Sequence, residues 1–254
     1  MLKTGFHAIE EFIHAANGLS GAKIYYSKPG PRVKKILSMA NDAGVESVQV
    51  ENKKLDEMAA SLAEELRDHR GIILEVSGEE QKKSAQVDFD SWIKLHSEKS
   101  EAICTVVVLD KITDPHNVGA ILRSCDQFGA SLVIMPEHNS ANDISQNDVI
   151  ARTSAGASAW VPFCVVNNLV RAVQQLKEAG FWVFGADAGG TNCGKLDFPQ
   201  KTVLIMGSEG KGISPLLEQQ CDSIVSIPTC GKIDSLNVSV AAGVLLYELY
   251  RRQN

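Results

Sequence analysis

The chain has 254 residues, 25 of them basic and 31 acidic, for a formal charge of −6; 44% are apolar and 22% charged. This composition excludes global disorder, and the length allows a core that needs no disulfide staples. The negative balance also excludes a protein that coats nucleic acid by bulk positive charge. No apolar run approaches the roughly 18 residues of a membrane span. Glu10 and Glu11 fall where the apolar stretch of a secretory signal would lie, so a cytoplasmic location is expected.

In chain order, residues 1–77 alternate element types. Ala8 to Ala16 has helical spacing with Ile9, Phe12 and Ile13 on one face. Ala22–Tyr26 is a predicted strand and Pro29-Gly-Pro31 a turn. Val33–Asn41 is a predicted helix with Val33, Ile36, Leu37 and Ala40 inward. Ser47–Val50 is a strand, Leu55–Leu66 one or two helices, and Ile72–Val76 a strand. Together these predict a small α/β domain. Residues 78–100 are polar apart from Phe89, Trp92 and Ile93, and predict a linker carrying a docking turn or short helix.

Residues 101–254 continue the alternation. Predicted strands are Thr105–Leu109, Leu132–Met135, Trp182–Ala186, Val203–Met206 and Ile224–Ile227. Predicted helices lie near Val118–Phe128, Val149–Ala155, Asn167–Ala179, Pro215–Gln219 and Val238–Arg251. The strands are continuous Val/Ile-rich runs without clean alternation, the pattern of a parallel sheet covered on both faces. The cysteines are Cys104, Cys125, Cys164, Cys193, Cys221 and Cys230, none in a C-x-x-C pair. A zinc site is therefore not expected, and reduced, mostly buried thiols are. Among the six histidines none pairs at metal-ligand spacing, so no metal is expected.

Three stretches hold more special residues than a core requires. In Asp114-Pro-His-Asn-Val-Gly-Ala-Ile-Leu-Arg123, capping accounts for Asp114 and Pro115 but not for Arg123 in an apolar helix. In Met206-Gly-Ser-Glu-Gly-Lys-Gly212, three glycines follow a strand. Lys211 is followed by Gly212 rather than Ser or Thr, so this is not a P-loop, and the glycine spacing fails the dinucleotide fingerprint. In Ile227-Pro-Thr-Cys-Gly231 with Ser235-Leu-Asn-Val-Ser-Val-Ala241, a polar loop opens a helix with more Ser and Asn than one cap needs. The amides of that helix start suit an electronegative group.

Taken together, these three stretches resemble motifs 1, 2 and 3 of the SpoU (TrmH-like) RNA 2′-O-ribose methyltransferases, over roughly residues 104–252. The segments Gly5-Phe-His-Ala-Ile-Glu10 and His69-Arg-Gly-Ile-Ile73 are similar to the small N-terminal domain of the subfamily that modifies a guanosine of 23S ribosomal RNA. The resemblance implies an α/β fold. A knotted parallel-sheet domain of the SPOUT type with a deep trefoil knot would span residues 101–254, behind an L30e-like RNA-binding domain over residues 1–77. It implies S-adenosylmethionine (AdoMet) as methyl donor, with Gly207, Ile227 and Leu236 at cofactor positions. Arg123 matches the family's proposed catalytic arginine, with Glu209, Asn117, Asn237, Ser235 and Ser239 as the surrounding polar groups. Glu209 would orient Arg123 or Asn117, and His116 is a candidate RNA contact. It also implies a homodimer formed through the C-terminal helix. Thr229 and Cys125 depart from residues common in the family, Met and Ala, and bear on packing rather than chemistry.

Other readings of the same residues are a tRNA ribose 2′-O-methyltransferase and a non-catalytic RNA-binding ribosome-assembly factor. The charge, read by position, favours local RNA contact. Between Glu11 and Asp42 lie Lys23, Lys28, Arg32, Lys34 and Lys35 and no acidic residue, in a domain whose net charge is −1. Lys28, Arg32, Lys34 and Lys35 are therefore the expected phosphate-contacting edge.

Overall fold

The computed structural model describes residues 2–15, 22–62, 64–76, 85–97, 103–232 and 235–253. Its N-terminal part holds β1 (Leu2–Lys3), α1 (Phe6–Ala15), β2 (Ala22–Tyr26), α2 (Pro31–Asp42), β3 (Glu46–Gln49), α3 (Asn52–Ala59) and β4 (Ile72–Val76). The four strands form one sheet in the order β1-β4-β2-β3. β2 and β3 are parallel, while β4 runs antiparallel to β1 and β2. Period-two alternation splits the apolar residues between the sheet faces. Ile24, Ile72 and Leu74 pack with Ile9, Val33 and Ile36 of α1 and α2, whereas Ile73 packs with Leu55 and Ala59 of α3.

The C-terminal part begins with α4 (Phe89–Ser97) and β5 (Cys104–Leu109), followed by α5 (Pro115–Gln127), β6 (Leu132–Pro136), α6 (Asp148–Thr153) and β7 (Phe163–Val166). After these come α7 (Leu169–Glu178), β8 (Trp182–Asn192), β9 (Lys201–Met206), α8 (Pro215–Glu218), β10 (Ser223–Ser226) and α9 (Val238–Gln253). Six strands form a second sheet in the order β10-β8-β9-β5-β6-β7. Every neighbouring pair in it is parallel. The unbroken apolar runs are explained by cover on both faces. Val107 and Leu109 point to the side of α5 and α9, and Cys104, Val106 and Val108 to the side of α4 and α7.

Several boundaries differ from the sequence reading. The first helix starts at Phe6, two residues early; its expected end at Ala16 lies outside the described residues. Leu55–Leu66 resolves into α3 and a separate 3₁₀ turn at Glu64–Leu66. β7 was not expected: its four residues become a strand only by pairing with β6 and with Gln86. β8 runs past Ala186 to Asn192, through a Gly189-Gly190 pair that looks like a turn in sequence. Its far end pairs with β10 across a register shift between Ile224 and Val225. Of the expected linker, residues 78–84 and 98–100 lie outside the described residues. Its described part is built into the second sheet's cover, with Phe89 and Trp92 of α4 buried.

α6 stands between the two sheets. On one side Lys3 and Asp68 approach its Asp148 and Arg152 to 4.0 and 3.9 Å. On the other it lies against α5 at Gly119. A Cβ added there would sit 2.7 Å from Thr153 Cβ and 3.0 Å from the Ile150 carbonyl oxygen. Gly119 is thus required by close helix approach rather than by a turn. Gly119→Ala should destabilise the protein by about 1–3 kcal/mol through overpacking; an unchanged thermal unfolding midpoint would contradict this packing.

Candidate active site

In an open parallel sheet, ligands bind outside the carboxyl ends of the strands. All three motif stretches leave the second sheet at that edge, after Leu109 of β5, Met206 of β9 and Ser226 of β10. β5 and β9 are neighbours in register from Cys104↔Lys201 to Leu109↔Met206, so the first two stretches emerge side by side. Asp110, buried at the end of β5, ties them together: its Oδ2 accepts the Ser214 amide at 2.6 Å, and its own amide donates to the Met206 carbonyl at 2.8 Å. Sequence reasoning missed this role; the only signal was an acid at the end of an apolar run.

α5 then begins as expected. Asp114 caps it by accepting the His116 amide at 2.9 Å, with Pro115 in the first turn. Asn117, on the inward side and nearly buried, meets the other two stretches. Its Nδ2 donates to Glu209 Oε1 at 3.1 Å, and its Oδ1 accepts from Asn237 Nδ2 at 3.0 Å. Asn237 Nδ2 also donates to Glu209 Oε1 at 2.7 Å. One carboxylate oxygen thus joins residues 92 and 28 positions away in the chain. Asn237 is also a helix cap. Its Oδ1 accepts from the Ser239 amide at 3.0 Å and the Ser239 hydroxyl at 2.6 Å, at the start of α9.

The other site candidates lie around this triangle. Arg123 is exposed on α5, and its guanidinium has no protein acceptor among the described residues. Of the two partners considered for Glu209, the structure therefore joins Asn117 to it and leaves Arg123 apart. Ser235 is exposed in the loop before α9. Leu236, exposed beside Asn237, is brought to the Gly207–Gly212 loop by the Asn237–Glu209 bond. Ile227 follows β10 and packs partly on the core.

The glycine loop closes on itself. The Ser208 amide donates to the Gly212 carbonyl at 3.1 Å, and the Gly212 amide to the Ser208 carbonyl at 2.9 Å. A Cβ on Gly207 would lie 2.2 Å from the Gly212 carbonyl carbon. Gly207 is therefore needed by the loop's own backbone, before any ligand is considered. Gly210 and Gly212 adopt φ of +80° and +65°, the left-handed region that glycine favours.

The basic window is less bare in space than in sequence. Lys23 pairs with Glu46 at 2.9 Å, and Arg32 and Lys35 converge on Glu10 at 2.8 and 4.0 Å. The packing of α1 on α2 brings in an acid 22 residues from Arg32. Lys28 and Lys34 are exposed, with no acidic partner among the described residues.

Two stretches of the sequence match family models. Residues 104–247 match the SpoU rRNA Methylase family, and residues 4–81 match the RNA 2′-O ribose methyltransferase substrate binding family. The chain belongs to the SpoU rRNA methylase family. A relative in Borreliella burgdorferi, described as an uncharacterized tRNA/rRNA methyltransferase, is 37% identical over 90% of this chain and 97% of its own length. Among solved structures, the SpoU methyltransferase AviRb from Streptomyces viridochromogenes, in complex with AdoMet, aligns with a TM-score of 0.67 at 21% identity. That alignment covers 100% of this chain and 90% of AviRb. An RNA 2′-O ribose methyltransferase aligns with a TM-score of 0.76 at 19% identity, over 100% and 88% of the two chains. At these identities the structures show a shared fold.

In this SpoU-family chain the thiols are poor candidates for chemistry. Burial pushes Cys125 and Cys164 up to about 12 and Cys221 up to about 11. Below those values the groups stay protonated and unreactive. Cys230, in the third motif loop, is exposed. Among the described residues no cluster of His, Cys, Asp or Glu is arranged to hold a metal. Iodoacetamide at about pH 8 should alkylate Cys230 and spare Cys125 and Cys164 in the folded protein; peptide mass spectrometry showing modified Cys125 would contradict this burial.

Proposed function

We propose that the protein transfers a methyl group from AdoMet to a ribose 2′-hydroxyl, that of a guanosine in 23S ribosomal RNA. The observation that carries this is the convergence of all three motif stretches on Glu209 at the carboxyl edge of the sheet. The match of residues 4–81 to a substrate-binding family supports an RNA-docking role for the N-terminal sheet, with Lys28, Arg32, Lys34 and Lys35 as its phosphate-contacting edge. The L30e-like character of that domain, the trefoil knot, the domain limits and a cytoplasmic location belong to the same proposal. Among the described residues, no helix is long and apolar enough to cross a membrane.

The residues present suit AdoMet. The half-buried Ile227 and the exposed Leu236 offer apolar surface to an adenine, and nothing lies within 4 Å of where a Cβ on Gly210 would stand, so the main chain there is open to close approach. The cofactor, when bound, supplies an electrophilic methyl on a sulfonium centre. The chain's part is orientation and charge. A guanidinium does not serve as a base in proteins, so the role of Arg123 is another. It is a fixed cation that favours the alkoxide form of the 2′-oxygen or clamps the neighbouring phosphate. Glu209, Asn117 and Asn237 hold the floor against which ribose is placed, and Ser235 and Ser239 supply hydroxyls at its rim. The expected result is that Arg123→Ala lowers methyl transfer to RNA by about 10²-fold or more while AdoMet affinity stays within about twofold. Tritiated-methyl incorporation at the wild-type rate would exclude Arg123. Mapping 2′-O-methyl sites in ribosomal and transfer RNA, with and without the protein, decides between the two RNA classes. AdoMet binding without any transfer would instead support the non-catalytic reading.

The homodimer is part of the proposal. α9 buries Leu245, Leu246 and Leu249 within the chain, yet Val240, Val244 and Tyr247 of its opposite face are 51%, 39% and 51% exposed. That spacing makes one apolar stripe. It lies beside α5, where Phe128 stacks edge-on to Tyr247 at 5.7 Å. Pairing two copies through this stripe would set Arg123 near the interface. Light scattering should give a dimer for the wild type and a folded monomer for Val244→Glu; a monomeric wild type would refute this pairing.

A further inference from the structure

Glu10 is a buried carboxylate that neither the core nor the methyl-transfer site uses. It is 7% exposed, on the helix that supplies Ile9 and Ile13 to the N-terminal core. Its Oε1 is the one buried side-chain polar atom without a hydrogen-bond partner among the described residues. Its Oε2 accepts from Arg32 Nη2 at 2.8 Å. A buried carboxylate with an unsatisfied oxygen destabilises a fold, and an apolar residue of similar size would serve the packing better. A reason outside stability is required.

What surrounds the carboxylate supplies one. The groups above Glu10 all face solvent: the side chains of Arg32, Lys35 and His7 are 44%, 67% and 65% exposed. Lys35 Nζ lies 4.0 Å from Oε1, His7 Nδ1 lies 3.8 Å from Oε2, and His7 Nδ1 is 3.5 Å from Arg32 Nη2. One buried anion thus sits beneath a group of outward-facing cations and a histidine. Arg32 commits a single terminal nitrogen to it. Its Nε–H and Nη1 hydrogens have no protein acceptor among the described residues. A guanidinium held at Nη2 keeps N–H donors on Nε and Nη1 for phosphate oxygens. α2 starts at Pro31 with Gly30 as an N-cap lacking a side-chain cap bond, so the positive end of a 12-residue helix lies at Arg32 too. The exposed Lys28 and Lys34 flank the same turn.

We infer that Glu10 is a positioning residue for RNA: it holds Arg32 in one orientation, so that the free N–H groups of the guanidinium receive a backbone phosphate. This rests on the RNA-docking reading of Lys28, Arg32, Lys34 and Lys35 given above. The benefit comes from ordering a long side chain before the RNA arrives, a cost that binding would otherwise carry. Bulk electrostatics makes the opposite statement. An acid beneath a basic surface lowers its potential, so removing that charge should tighten RNA binding. The two accounts therefore differ in sign.

The test is the Kd of the full-length protein for a fluorescent transcript of 23S ribosomal RNA and for a transcribed tRNA, at fixed salt. Glu10→Gln, which keeps size and removes charge, should weaken binding of the preferred RNA about fivefold. The same change added to Arg32→Ala should have no further effect. Tighter binding, unchanged binding, or an equal loss in the Arg32→Ala background would overturn the inference. If Glu10→Gln fails to fold by thermal melting, Arg32→Lys replaces it. That change keeps the charge at an exposed site but loses the planar fork; it should weaken binding to a similar extent, and unaltered affinity overturns the inference. Lys28→Glu and Lys34→Glu touch neither Glu10 nor Arg32 and separate the two levels. If they leave affinity unaltered, the docking surface itself is wrong. If they weaken binding and Glu10→Gln does not, only the role of Glu10 falls.

Discussion

A single carboxylate oxygen holds the candidate active site together. Glu209 Oε1 accepts from the amides of Asn117 and Asn237, which also bond to each other. Each amide follows a different strand of the sheet, β5 or β10, and each has other work, since Asn117 sits in a packed helix and Asn237 caps α9. The triangle is therefore fixed on two sides by secondary structure and closed by an acid on a glycine loop. A charge-assisted bond to two donors outweighs a neutral one, and it places the tip of the loop that carries it. Asp110 acts one layer below in the same manner, accepting the amide of Ser214 where the glycine loop returns. The two acids act at different points of the loop, the buried one fixing its base and the exposed one its tip.

The site depends on close backbone approach as much as on hydrogen bonds. Gly119 lets α6 lie on α5, and Gly207 lets the second motif loop fold back on Gly212 and Ile213. α6 in turn carries the charged contacts to the N-terminal sheet, through Lys3 and Asp68. The helix bearing Asn117 and Arg123 is thus backed by the element that meets the proposed RNA-docking part. A continuous packed path links the two, and no glycine along it is there for flexibility. The charge distribution follows the same division. The C-terminal part presents polar and acidic groups at its edge together with Arg123 and Lys211, and cations also gather at the start of α2.

Much of the fold is legible in the sequence because its signals are local. The Val/Ile runs of β5, β6 and β9 announce buried parallel strands, and Val33, Ile36 and Ala40 announce the inward face of α2. Asp114 and Pro115 announce the start of α5. What was missed had no local signal. β7 is a strand only because β6 is beside it. The second half of β8 contains Gly189 and Gly190 and looks like a turn; it is extended because β10 pairs with it. Of the site residues, the family resemblance pointed to Asn117, Glu209 and Asn237. It could not say that Glu209 would bond both amides and leave Arg123 outside.

The sequence by itself determined most of the element types, the double-sided burial of the second sheet, and the three polar stretches of the SpoU family, since each depends on periodicity or on residues a few positions apart. Only the tertiary structure decided how the opening charge count should be read. The run from Lys23 to Lys35 is unopposed along the chain, yet α1 lies on α2 and brings Glu10 under Arg32 and Lys35. Coulomb attraction acts through space, whereas a sequence window measures distance along the chain. Asn117 and Asn237 likewise meet in space across 120 residues of chain.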